Sequence, residues 1–384
     1  MEIHDSLVIG AGQAGLSASY HLRRRGIDHV VLDADDRPGG AWQHRWDALT
    51  MNDVHRVADL PGAEIPPDTG RERANTFVPA YFADYERRFE LPVVRPVRVR
   101  RVRPSTGSGD GPAGSGGPST GSGDNLLVVE SDAGTWATRT LVNATGTWTR
   151  PFIPHYPGIE TFRGEQLHTA DYPGPEHFRG KRVVVVGGGA SAVQFLGALA
   201  PITDTIWVTR REPVWTDRDF TPELGREVVA KVEERVRQGL PPRSVVSVTG
   251  LRLREQEREA ERLGAYAARR PMFTSIEPDG VRWDPSTGSG GGTTDSGGGA
   301  FEPADVIVWA TGFRPAIEHL APLHLRSPLG GIQLDGTTAV ADPRVQMVGY
   351  GPSASTIGAN RAGRTAARGV AEHLRAAEVV SADA

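Results

Sequence analysis

The chain has 384 residues, no cysteine, and a formal net charge of -4 at pH 7 from 43 Lys+Arg and 47 Asp+Glu. The missing cysteines exclude disulfides, thiolate metal sites and cysteine nucleophiles, and the near balance of charge gives no reason to expect a nucleic-acid or membrane partner. At a prior of about 150 residues per domain the length predicts two domains.

The N-terminus enters an apolar run at Ser6-Leu7-Val8-Ile9 and meets glycine at once, so no secretory apolar core is expected there. No later apolar run reaches bilayer length, and a soluble, cytoplasmic protein is expected. GAGQAG, Gly10 to Gly15, follows this first strand and opens the helix LSASYHLRRRG. A turn this tight needs glycine at Gly10, Gly12 and Gly15, and a pyrophosphate approaches backbone N–H groups at a helix start only where no Cβ intrudes. The acid that holds a ribose hydroxyl in such sites lies about twenty residues on, at the end of the next strand; Asp33 in HVVLD fits. GGAW, with Gly40 and Trp42, and ALTMN, with Asn52, come next.

Two Gly/Ser-rich tracts, Pro104 to Asp124 and Pro285 to Ala300, carry the hexapeptide PSTGSG three times. Such segments bury too little apolar area to offset their ordering entropy. With VRPVRVRRVR and NLLVVES around the first, and VRW and DVIVWATG around the second, both are expected to be tips of long hairpins, and no function is assigned to them. The remaining strands, SLVIG, HVVLD, TLVNATG, RVVVVGGG, TIWVTR, DVIVWATG and VQMVGYG, are the continuous Val/Ile/Leu runs of parallel sheets, separated by amphipathic helices. The fold class is α/β. Helices are expected over Pro222 to Gln238 and Leu253 to Arg269.

A second fingerprint, GGGASA, with Gly187, Gly189 and Ser191, lies between the strand RVVVV and the helix SAVQFLGALA. Its following strand ends in Arg210-Arg211 and has no acid there. A carboxylate at that point would repel a 2'-phosphate, whereas guanidinium groups pair with it bidentately, so this site is expected to take NADPH. The alternative is a solvated basic turn. An acid-tagged site followed by an arginine-tagged one implies two different nucleotides, and FAD with NADPH is the natural pair.

FRGEQLHTADYP, Phe162 to Pro173, matches F-x-G-x-x-x-H-x-x-x-[YF] with Phe162, Gly164, His168 and Tyr172 in register. With GGAW, the order of the two fingerprints, and ATG at Ala144–Gly146 and Ala310–Gly312, the chain resembles the flavin-containing monooxygenases over nearly its whole length, the Gly/Ser tracts excepted. The resemblance implies two Rossmann-like domains in the glutathione-reductase-like arrangement, with a discontinuous FAD domain, 1–153 plus 313–384, and an inserted NADP domain, 154–312. It also implies a monooxygenase in which NADPH reduces FAD, O2 forms a C4a-(hydro)peroxide, and an amine, sulfide or ketone takes the distal oxygen. The partners are then O2 and a small-molecule substrate.

In that family His168 and Tyr172 lie where the chain crosses between domains, and His168 is either an organiser of nicotinamide placement or a structural residue. Asn52 falls where the family carries an amide that contacts the flavin, and is otherwise a turn residue. Gly349, Gly351 and the backbone to Ser355 fall at a helix start beside the flavin, and Thr311 and Gly312 in the second ATG motif. Baeyer-Villiger relatives end the histidine motif in Trp followed by Pro or Asp; Tyr172-Pro173 combines features of both branches and leaves the substrate class open. Two other functions remain, a cysteine-free flavin reductase serving another acceptor and a non-catalytic NADP sensor.

Overall fold

The computed structural model describes residues 2–52, 54, 57–105, 125–216, 230, 232–242, 250–251, 253, 255–284, 293–294 and 299–382. The chain forms two compact units, one of Met1–Thr147, Val229–Ser244 and Pro315–Ala384, the other of Trp148–Val228 and Val245–Arg314.

In the first unit a parallel core runs Val345–Met347, Thr135–Asn143, Ile3–Ile9, His29–Leu32, Val93–Val94. The register aligns Ile9 with Leu32 and with Asn143, and Asn143 with Met347, so four strands end at one level. These strands are apolar without alternation because both faces are covered; Leu7, Val8, Val31, Leu32, Leu141 and Val142 are fully buried. On one face the helix Gln13–Arg23 crosses the long C-terminal helix Thr356–Ala382. They meet at Gly363, where a Cβ would come within 2.5 Å of Ser17 Oγ and 2.7 Å of the Ala18 nitrogen.

The second unit has a four-stranded parallel sheet in the order Glu165–His168, Val306–Trp309, Val183–Val186, Thr205–Val208, again ending in line at His168, Trp309, Val186 and Val208. Its core is aromatic, and the buried indoles of Trp207, Trp283 and Trp309 each donate their N–H, to Gly187 O (2.7 Å), Pro271 O (2.8 Å) and Gln166 Oε1 (3.1 Å).

All seven apolar runs singled out in the sequence are strands with parallel partners, divided between the two sheets. The first Gly/Ser tract does join an antiparallel pair, Val99–Pro104 with Leu127–Ser131. At the second tract the pairing differs from expectation: Gly280–Arg282 pairs with Ala300–Pro303, while Val306–Trp309 enters the parallel sheet. The helix expected to run to Arg269 spans Glu255–Arg262 and stops at Gly264, whose φ of +78° and whose bond to Glu261 O, with Ala265 N–H to Ala260 O, form a Schellman end. Most of the expected helix from Pro222 lies outside the described residues.

Along the chain the borders between the compact units fall at 147/148, 228/229, 244/245 and 314/315. Pairing of Pro151 with Phe313, and of Arg314 N–H with Arg150 O (2.9 Å), holds these residues in the second unit. Residues 229–244, read from sequence as part of the inserted domain, pack with the first unit, where Val236 is buried among its apolar side chains.

Candidate cofactor sites in the two units

The first fingerprint sits at the carboxyl edge of the first parallel core. Gly10 has φ +98°, and a Cβ there would lie 2.7 Å from Ala144 O, in the first ATG motif. A Cβ on Gly15 would overlap Gly10 O. Gly12 is different: it caps the helix Gln13–Arg23 with no side-chain hydrogen bond, and a Cβ there meets nothing within 4 Å. Open space therefore faces the helix start where N–H groups lack intrahelical partners, the requirement for an anion. Gly40 packs on this loop, since its Cβ would lie 2.9 Å from Gly12 Cα. Trp42 follows, half-buried, with the Arg45 guanidinium 5.6 Å over its ring. Burial lowers the Arg45 pKa to about 10.

Asp33 is buried directly beyond Leu32, and its Oδ2 accepts from Arg95 Nη2 (3.1 Å) and Nε (3.3 Å). Arg95 also binds both oxygens of Glu86, at 2.6 and 2.8 Å. Burial pushes the Asp33 carboxyl up, and Arg95 opposes that shift. Neither Arg95 nor Glu86 stands at a motif offset.

The other strand ends complete this edge. Thr145 Oγ1 donates to Ala316 O (2.6 Å), Asn143 Nδ2 to Thr145 Oγ1 (3.1 Å), and His319 Nε2 lies 2.7 Å from Asn143 Oδ1. A Cβ on Gly349, at φ +70°, would lie 3.5 Å from Gly146. Gly351 has φ +60°, and the Ser355 hydroxyl accepts from Gly358 N–H (3.1 Å), capping the C-terminal helix. Asn52 is exposed, its side chain lies against Gly70, and its backbone N–H donates to Gly70 O at 2.9 Å.

The second fingerprint repeats this plan in the second unit. Gly187 has φ +145°, and a Cβ on it would overlap Ala310 O, in the second ATG motif. Gly189 caps the helix Ala190–Leu199 with no side-chain bond and faces open space as Gly12 does; Ser191 is half-buried in the first turn. Arg210 and Arg211 are exposed just past Val208. Sequence spacing missed Arg269, which reaches the same turn: its Nη1 donates to Thr209 Oγ1 (3.1 Å), it pairs with Glu212, and Thr209 Oγ1 donates to Arg211 O (2.7 Å).

His168 ends the strand beside Trp309 and is buried. Ala170 N–H donates to its Nδ1 (3.2 Å), which leaves the proton on Nε2, 2.9 Å from Gly312 O. The same carbonyl accepts from Phe152 N–H (3.0 Å), and Thr311 Oγ1 donates to Phe152 O. Desolvation lowers the His168 pKa, so the ring is neutral. Tyr172 is buried in an aromatic stack, its ring 4.1 Å from Phe195 and 5.5 Å from Phe178. Among the described residues no cluster of acids and histidines could hold a metal, and no helix is long and apolar enough to cross a membrane.

The family model for pyridine nucleotide-disulphide oxidoreductases matches residues 4–350. The solved flavin-containing monooxygenase from Stenotrophomonas maltophilia is 34% identical, with 97% of this chain and all of that one covered at a TM-score of 0.77. The chain belongs to the flavin-containing monooxygenase family. It is thus a flavin-dependent oxidoreductase built on the two-domain FAD/NAD(P)-binding fold, without the cysteines that disulfide reduction needs. Curated relatives include an uncharacterized oxidoreductase, CzcO, from Bacillus velezensis, 26% identical over 56% of this chain and 60% of that protein, and a Baeyer-Villiger monooxygenase from Streptomyces coelicolor, 28% identical over 62% and 44%. The chain spans about half the length of the curated relatives it matches.

Both loops fit dinucleotides. Each presents an uncapped helix start to open space, and each is backed by its own ATG carbonyl.

Proposed function

We propose that this protein is an NADPH-dependent FAD monooxygenase that puts one oxygen atom of O2 onto a small soft nucleophile, an amine or sulfide, or beside a ketone carbonyl. The observation that carries the reading is the repeated loop geometry with opposite tags. The first loop is followed by buried Asp33, the second by Arg210, Arg211 and Arg269 around one turn. An acid suits a free ribose diol and cations suit a 2'-phosphate.

In this reading FAD lies across the first unit. Gly10, Gly12 and Gly15 admit its pyrophosphate, Asp33 accepts from its adenosine ribose, and Gly40 and Trp42 wall the loop. Gly349, Gly351 and the backbone to Ser355 bring the start of the helix Thr356–Ala382 to its ring end, where the positive end of the dipole favours charge on reduced flavin. Gly187, Gly189 and Ser191 hold the pyrophosphate of NADPH, with Thr311 and Gly312 beside them. Bound FAD supplies the transfer of electrons from the nicotinamide to O2. The protein's part is to place two cofactors and exclude water. His168 is neutral and clamps Gly312, so it acts as an organiser and not as an acid or base. Asn52 is a candidate amide contact to the flavin, and Tyr172 supports the turn from within its aromatic stack.

The overall change is NADPH + H+ + O2 + sulfide giving NADP+ + H2O + sulfoxide. The test is turnover of methyl phenyl sulfide, a tertiary amine and cyclohexanone under 18O2. Label in one product at a yield near that of NADPH consumed is expected. Hydrogen peroxide as the sole product with every probe would transfer the protein to the flavin reductases.

A further inference from the structure

Within the first unit, the helical stretch carrying Val232 and Val236 lies next to the proposed flavin-side turn. Its buried faces are Val232 and Val236, one helical turn apart, and Val236 packs among Ile317, Leu320, Leu323, Leu325, Ile332 and Tyr350. The turn after them is a Schellman end: Gly239, φ +73°, donates to Val236 O (2.9 Å) and Leu240 N–H to Arg235 O (3.0 Å). This end is fastened to the first unit at three points. Gly239 O accepts from Gly331 N–H (3.0 Å) and from Ser327 Oγ (2.6 Å), and Arg237 O from Gln333 Nε2 (3.0 Å). Gly331 passes so near the Leu240 carbonyl that a Cβ would overlap it.

Beyond these anchors lies Gly351. A Cβ on it would sit 2.7 Å from Val236 Cγ2, so the valine methyl occupies the space that any other residue at 351 would need. Tyr350 is fixed on both sides, its hydroxyl accepting from Ile332 N–H (3.0 Å) and its N–H donating to Ser353 Oγ (3.1 Å). Close-packed contacts of this kind transmit displacements of a few tenths of an ångström. The turn Gly351–Ala354 leads through Ser355 into the helix Thr356–Ala382.

We propose that Val236 is a positioning residue for the flavin: through Gly351 it sets where the start of the C-terminal helix meets the cofactor's ring end. The inference rests on FAD lying across the carboxyl edge of the first sheet.

The test uses the FAD-loaded protein without coenzyme. Visible circular dichroism of the flavin and its midpoint potential against a reference dye are measured for the parent, Val236→Ala, Gly351→Ala and the double variant, with flavin content and melting recorded separately. Gly351→Ala drives a methyl into Val236, so it is expected to change the ratio of affinities for reduced and oxidised flavin by about two- to fivefold, the range of a helix-terminus interaction. Val236→Ala makes room for that methyl but leaves the strain of a Cβ at φ +60°, so the double variant returns part of the way toward the parent, between it and Gly351→Ala. Additive effects, or parent-like spectra and potentials in both single variants, overturn the proposal even where melting falls. If Gly351→Ala does not fold, Val236→Ile, which adds a methyl from the other side of the contact, is compared with Val236→Ala, and equal potentials overturn it. A parent that carries no flavin overturns the reading of the site itself.

Discussion

His168 Nε2 and Phe152 N–H converge on one acceptor, Gly312 O, at 2.9 and 3.0 Å. The histidine thereby ties the end of its own strand to the place where the two passages of the chain, at Phe152 and at Phe313, run side by side. Phe313 is held between them, its ring 4.8 Å edge-on from His168 and 4.9 Å stacked on Trp148, and Arg314 lies 3.9 Å over Phe152. The motif that marks the family is in this chain a clamp on the second ATG turn.

His168→Ala should therefore act on the second unit and not on the FAD fingerprint. Ala170 N–H loses its acceptor, and the buried hydrogen bonds cost about 1–3 kcal/mol of stability. Flavin content is expected to survive while reduction by NADPH slows and more of the consumed NADPH is recovered as hydrogen peroxide. Stopped-flow reduction and a peroxide assay check this. Parent-like reduction and coupling would leave His168 with a purely structural part.

A second prediction concerns acid. Burial, aided by Arg364, Arg25 and Arg24, lowers the His21 pKa to about 4, and burial lowers that of His319 to about 4. Both rings are neutral in the folded chain where the unfolded chain, near 6.5, already binds protons. Their contribution is complete above about pH 6.5, falls as pH drops from there by up to about 1.4 kcal/mol per pH unit for each histidine, and levels off below about pH 4. Urea melts of His21→Gln and His319→Gln between these limits should show a shallower pH dependence than the parent, and identical slopes would argue against it.

The parts legible in the sequence were those with a local signature. Continuous Val/Ile runs marked the parallel strands, and Asp33 stood at a fixed distance from GAGQAG. Arg95 and Arg269 had no such signature, because nothing in local spacing ties Arg95 to Asp33, or Arg269 to Thr209; only the sheets bring them together. Val236 falls within the helix expected over Pro222 to Gln238, but its partners lie far along the chain, around Tyr350 and Gly351. At the second Gly/Ser tract the partner of Gly280–Arg282 is Ala300–Pro303, a four-residue strand too short to stand out beside DVIVW.

Arg95 offers a third prediction. Arg95→Met removes the guanidinium that pairs with both Asp33 and Glu86 and leaves two carboxylates almost wholly buried. Breaking such a pair costs about 3–5 kcal/mol. Weaker FAD retention is expected with it, since Asp33 loses the partner that orients it. Flavin fluorescence on dilution and melting of the first unit measure the two effects, and undiminished retention would remove Arg95 from the ribose site.

Coenzyme choice gives a fourth. If Arg210, Arg211 and Arg269 receive the 2'-phosphate, each charge-assisted bond lost should raise KM for NADPH by about 1.5–3 kcal/mol equivalent, roughly 10- to 150-fold, while KM for NADH changes little. Arg269→Ala should exceed its own loss, because it also frees the Glu212 carboxylate beside the phosphate. An unchanged NADPH/NADH ratio in all three variants would make the turn a solvated basic surface.

Two of the three glycines of the first fingerprint, Gly15 and Gly12, separate folding from binding. A methyl at Gly15 would overlap Gly10 O, so Gly15→Ala must push the helix from the strand end and is expected to lower stability whether or not FAD is present. A methyl at Gly12 meets no protein atom within 4 Å, so Gly12→Ala should fold with the melting temperature of the flavin-free parent. Its Cβ instead occupies the open space at the helix start, where the pyrophosphate is proposed to lie, and FAD should be lost or weakly held. Gly12→Val enlarges the obstruction without adding a protein clash of the Gly15 kind, so flavin content should fall further while the apo-form melt moves much less than in Gly15→Ala. The measurement is the ratio of flavin to protein absorbance after purification, together with melts of apo forms. A Gly12→Val protein as yellow as the parent would place the pyrophosphate elsewhere.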